Sequence, residues 1–156
     1  MTATNPFFDI SLLPYQAPHF DEITDDHYRP AFDEALRQKR ADVDAIVSQT
    51  AAPDFTNTVL ALEKSGAMLS RVSSVFFAMT SANTNTYLQE LEEQFSTELA
   101  ALANDIWLND VLFARVESVW QDRAALDAES RRLAEETYQR FILAGARLNE
   151  TEKAEL

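Results

Sequence analysis

Two histidines, His19 and His27, and a large stock of carboxylates are the side chains here from which a metal site or an acid–base pair would be built; there is no cysteine. A helix-borne zinc site needs two histidines one turn apart, so that both imidazoles leave the same face, with a glutamate between them as base. No H-E-x-x-H occurs in the sequence. The Glu-x-x-His ligand pairs of a di-iron bundle are missing as well, because Gln16 stands three residues before His19 and Thr24 three before His27. The neighbouring acids Glu92-Glu93 and Glu135-Glu136 would leave a helix about 100° apart, so neither pair converges on one substrate. A nucleophilic serine needs a strand–turn–helix to present it and a histidine to orient it, and G-x-S-x-G is not found. Gly66 and Gly145 are the two glycines, too far apart in sequence to cradle a phosphate. No residue is therefore assigned a catalytic, cofactor-binding or metal-ligating role; the chemistry is expected to belong to residues outside this chain.

The elements that would position such residues read as helices. Glycine is rare and Ala, Leu, Glu and Gln are plentiful, which favours helix over sheet. At 46% hydrophobic residues the 156-residue chain has enough apolar surface for a packed core. The expected fold is all-α, an antiparallel helical bundle of about five helices (24–148) preceded by an extended Pro- and aromatic-rich strap (1–23). Residues 149–156 read as the start of a further helix, opened by Asn149-x-x-Glu152 and cut short. In the strap, Pro6, Pro14 and Pro18 disfavour helix, yet Phe7, Phe8, Leu12, Leu13, Tyr15, Phe20 and Ile23 are too apolar for a free tail. Pinning them across helices would offset the cost of ordering the segment, whether it covers its own bundle or joins two lobes.

The first helix is expected over Thr24–Gln49, with Thr24 as N-cap, a regular start nearer Arg29 because of Pro30, and an apolar stripe of Phe32, Leu36, Val43, Ile46 and Val47. A second is expected over Thr56–Ser81, with Val59, Leu62, Leu69, Val72, Phe76 and Met79 inward. Gly66 would lie inside it, implying close approach of another backbone, and Ala61, Ser65, Ser70, Ser73 and Ser74 would allow tight packing on more than one side. A third runs over Thr86–Leu108, opened by a capping box from Thr86 to Gln89 and striped by Leu88, Leu91, Phe95, Leu99, Leu102 and Ile106. The fourth spans Asp110–Ala125, capped by Asn109 or Asp110, with Leu112, Phe113, Val116, Val119 and Trp120 inward. The fifth spans Asp127–Ala144 with Asp127 as N-cap, Leu133, Tyr138, Phe141 and Ile142 inward, and Gly145 as a left-handed stop.

Formal charge is −13, which argues against nucleic acid and anionic membrane as partners. No Lys or Arg lies between Arg71 and Arg115, while Glu90, Glu92, Glu93, Glu98, Asp105 and Asp110 do. That stretch reads either as a solvated helix face or as an acidic wall that repels anions or meets a basic partner. No apolar run approaches the roughly 20 residues of a bilayer span. The first residues lack the basic and apolar regions of a signal peptide, and the absence of cysteine suits the cytoplasm.

Asn5-Pro6-Phe7, Leu13-Pro14-Tyr15, Phe20-Asp21-Glu22-Ile23 and His27-Tyr28-Arg29-Pro30-Ala31-Phe32 together resemble the start of the thimet-oligopeptidase-like zinc peptidases. Phe55-Thr56-Asn57-Thr58, Leu62-Glu63-Lys64-Ser65-Gly66, Leu69 to Phe77, and Arg140 to Ala146 with Leu148 continue the likeness. Within the family it is most similar to the peptidyl-dipeptidase branch, with oligopeptidase A as near relative. The resemblance implies a cytoplasmic, nearly all-helical enzyme several times longer, whose two lobes enclose a channel for short peptides. Its zinc and substrate residues lie downstream, so none maps onto a position here. The chain would then be a non-catalytic N-terminal domain, part of the channel wall. Its partners would be the C-terminal catalytic lobe and, in the parent, short peptides, and the excised piece would be prone to self-association. The alternatives are the matching domain of an oligopeptidase A-type endopeptidase, or a free-standing acidic helical interaction module.

Overall fold

The structure, a computed structural model, describes residues 5–148. Among these residues there is no strand, and five helices exceed three turns: α1 (Asp25–Val47), α3 (Ala67–Ala82), α4 (Thr86–Trp107), α5 (Asp110–Gln121) and α6 (Ala128–Leu143). The short α2 (Ala61–Lys64) follows a π-helical turn, Phe55–Leu60. The all-α expectation is borne out, and every stripe residue named above is buried or half-buried. The start expected at Asn149 lies outside the described residues. The chain forms two compact units, residues 5–41 with 66–99 and residues 42–65 with 100–148.

Aromatic rings make the centre of the first unit. Phe32 of α1 and Phe95 of α4 stack with centroids 3.8 Å apart, and Phe76 of α3 meets Phe95 edge-on at 4.8 Å. Tyr28 continues the cluster against Phe76 at 5.1 Å, and Phe7 closes it against Tyr28 at 5.6 Å. Each such contact adds about 0.5–1.5 kcal/mol beyond the apolar area it buries. In the second unit Val59, Val119 and Ala134 form a buried cluster with Phe55, Leu126 and Leu133 against it. Trp120 stacks on Tyr138 at 4.3 Å, and Trp107 meets Phe141 edge-on at 4.9 Å.

Helix ends follow local chemistry, with four departures from expectation. Asn109 caps α5 by accepting from the Leu112 N–H, Asp127 caps α6 by accepting from Glu129 and Ser130, and Gly145 ends it at φ 94°. The Ala146 and Gly145 N–H groups then donate to the Phe141 and Ile142 carbonyls, the paired bonds of a Schellman stop. The first departure is at α4, where Asn85 rather than Thr86 accepts from the Leu88 N–H. The second is at α1, which starts at Asp25, directly after Thr24 as its range predicts, but is regular from there through Pro30 and not only from near Arg29. His27 Nδ1 accepts the Thr24 N–H and two aspartates fill the first turn, so the start is stabilised well before Pro30; the proline withholds its one bond on the exposed side. The third is Gly66, which does not sit in a continuous helix but breaks it, taking φ 72° as the N-cap of α3. A Cβ there would come 2.6 Å from Lys39 Cδ, so the close neighbour is a side chain and not a backbone. Last, of the small residues expected to allow packing, Ala61, Ser65 and Ser73 are half-buried while Ser70 and Ser74 are exposed.

Candidate functional surface

The residues read as possible chemistry are dispersed into structural roles. His27 is occupied in its hydrogen bond at the α1 start, 3.1 Å from the Thr24 nitrogen, and His19 is half-buried in the preceding loop. The paired acids of α6 diverge to different arginines: Glu135 accepts from Arg123 at 3.3 Å and Glu136 from Arg132 at 2.6 Å. Among the described residues no three His, Cys, Asp or Glu side chains converge as metal ligands. With His27 engaged and the carboxylates dispersed, these donors do not fit a zinc ion. Of the acidic stretch, Glu90, Glu93, Asp105 and Asp110 are exposed, while Glu98 receives both Arg29 nitrogens at 2.7 and 3.1 Å.

Arg29 also donates to Asp33 and lies over the Phe95 ring at 5.3 Å. Its hydrogen bonds to Asp33 and then Glu98 push the guanidinium above its ordinary value, so it is a permanent cation in this network. The neighbouring Tyr28 hydroxyl is raised by burial and then by Asp25. Beside this network a groove of about 570 Å³ has an apolar floor of Phe8, Pro30 and Met68 and a charged wall of Asp33, Glu34 and Arg37. Arg37 and Gln38 donate to the Glu34 carboxylate and hold it at about 2. Fixed charge of both signs over an apolar floor suits packing of a protein segment.

The residues that carry the family likeness act as staples. Asn5 Nδ2 donates to the His27 carbonyl at 2.8 Å while its Oδ1 accepts from the Phe7 N–H at 3.1 Å. Arg71 donates to the Phe7 carbonyl at 2.8 Å, seating Phe7 at 2% exposure. In the second unit Asn57 is the centre of a turn: its Oδ1 accepts from Asp54, Thr58 and Arg115, and its Nδ2 donates to the Ala52 carbonyl. Arg115, 7% exposed, reaches the Gln49 and Ala51 carbonyls at 3.3 Å. A lone arginine amid apolar positions of α5 was the sequence signal for this staple, and the helix stripe reading passed over it.

The strap departs most from expectation. Phe7 is buried and Ile23 half-buried, but Phe8, Ile10, Leu12, Leu13, Tyr15 and Phe20 face solvent. The segment turns at a single 3₁₀ element, Pro14–Gln16, in which Tyr15 and Gln16 take positive φ of 60° and 56°. Apolar type alone did not bury these residues: Phe8 borders α1 and α3 beside Pro30 and Met68 yet stays half open, while Leu12 and Tyr15 are bare.

The chain is 65% identical over 156 residues to a dipeptidyl carboxypeptidase of Salmonella typhimurium. It is 61% identical over 158 residues to one of Escherichia coli, and the matches cover 99% and 100% of the chain. From end to end it resembles dipeptidyl carboxypeptidases. The branch of the family read from the motifs is thus borne out. No protein-family model matches the chain. It spans 23% of the length of each of these dipeptidyl carboxypeptidases and corresponds to their N-terminal part. Among the described residues no helix is long and apolar enough to cross a membrane.

Proposed function

We propose that the chain is the non-catalytic N-terminal helical part of a dipeptidyl carboxypeptidase, a cytoplasmic zinc enzyme that removes dipeptides from the C-termini of short peptides. The carrying observation is 65% identity across 99% of the chain to a protein of that name. The dispersal of His27, Glu135 and Glu136 into caps and ion pairs supports a scaffold role. Zinc-bound water would then be supplied by the remaining polypeptide, and these helices would form a wall beside it. Residues 24–148 act in this reading as one helical scaffold domain.

The test is expression of the full-length protein that carries this sequence, incubated with an N-blocked tetrapeptide and followed by mass spectrometry. Release of the C-terminal dipeptide, abolished by a chelator and restored by zinc, is expected, with no release by the 156-residue chain alone. Cleavage at internal bonds only would replace the reading with an endopeptidase of the oligopeptidase A type. No cleavage by any longer form would leave a free-standing acidic interaction module.

A further inference from the structure

Apolar side chains gather on the loop before α1 without cover. Leu12 is 98% exposed and Tyr15 fully exposed, with Ile10 and Phe20 also open to solvent. Single exposed apolar residues are ordinary, but a run of them on one loop marks a contact surface. The loop is not a loose tail. Asn5 and Arg71 fix its beginning through the His27 and Phe7 carbonyls, and Thr24 and His27 fix its end. At its tip Gln16 donates to the Leu13 carbonyl at 2.9 Å, holding Tyr15 and Gln16 in the left-handed region that side-chain-bearing residues avoid. A tyrosine kept in that conformation with its ring in water gains nothing within the described residues.

We infer that this loop is a plug that docks its Leu12–Tyr15 tip into an apolar recess of the remaining polypeptide of the parent enzyme. The inference rests on the proposed reading of the chain as the N-terminal part of a dipeptidyl carboxypeptidase. The relatives extend far beyond this chain, which spans 23% of them, so a large surface awaits partners in the same polypeptide. Tethering raises the effective concentration of the two faces, so a small apolar tip suffices. A second copy of the chain is a poorer occupant, because two chains of charge −13 repel one another. The groove beside Phe8 lies at the base of the same loop and extends the apolar surface.

The chain has no cysteine, so single cysteines report the contact. Leu12→Cys and, as an exposed polar control, Glu22→Cys are introduced separately into the full-length protein. Maleimide labelling is measured natively and in urea, with the labelling of the unsubstituted protein subtracted. Leu12→Cys is expected to label natively at least about tenfold more slowly than Glu22→Cys, and equally in urea, as closed-state protection requires. Equal native rates overturn the inference, as does protection that disappears on dilution, which would mark a second copy as the occupant. Dipeptide release is assayed on the same samples. Release with equal labelling leaves the proposed function standing and removes the plug; protection without release does the reverse.

Discussion

Two non-helical stretches of this molecule meet opposite fates. The loop before α1 is rich in large apolar residues and faces solvent, whereas residues 48–54, made of small and polar residues, are tied down. Arg115 supplies the difference, donating to the Gln49 and Ala51 carbonyls and to Asn57, whose side chain also closes the Asp54 turn. A loop is ordered by partners for its backbone polar groups, and hydrophobic side chains order it only where an apolar face lies within reach. The loop before α1 has such a face at Phe7 and lacks it at its tip, where Leu12 and Tyr15 are almost wholly exposed.

The sharpest way to break this contrast lies within the loop itself. Phe7→Ala should cost about 3 kcal/mol or more, as expected for a buried phenylalanine, whereas Leu12→Ser should stay within about 0.5 kcal/mol. Urea unfolding of the 156-residue chain measures both, and a comparable loss from Leu12→Ser would end the distinction between anchor and exposed tip. Next in size, Arg115→Met should cost about 2–3 kcal/mol by leaving carbonyls and Asn57 without their charged donor. Its signature would be faster amide exchange confined to residues 48–57; uniform exchange across the helices would show that the arginine contributes packing and not loop order.

The smallest effect concerns pH. Glu34 is held at about 2, first by the hydrogen bond from Arg37 and then by that from Gln38. Its folded value lies below the ordinary carboxylate value of about 4.3. Its contribution is therefore present above that ordinary value and lost as pH falls through about 2. NMR titration of the Glu34 carboxyl should give a midpoint near 2 at low salt. Arg37→Ala should return the midpoint toward the ordinary range. Added salt should weaken the depression, because the pair is exposed. An unchanged midpoint in Arg37→Ala would assign the effect to Gln38.

Much of the helical plan was legible in sequence because it depends on neighbours three and four residues apart. The stripe from Leu88 to Ile106 and the caps Asn109 and Asp127 are read from local spacing and side-chain chemistry, and they formed as expected. The residues that carry the family likeness include the staples Asn5, Arg71 and Asn57, whose long-range hydrogen bonds are not visible in one dimension. Gly66 was misplaced because an interior glycine and a left-handed break look the same in one dimension; the reversal beside Lys39 is a three-dimensional fact.

The sequence by itself determined that this protein is helical, acidic and similar to dipeptidyl carboxypeptidases, because periodicity, charge and motif order are properties of the chain alone. Only the tertiary structure decided that Arg115 is a buried staple, that Arg29 and Glu98 pair across 69 residues, and that the loop tip stays bare. Those outcomes depend on which distant groups come within reach, and burial is a relation between surfaces that no local pattern contains.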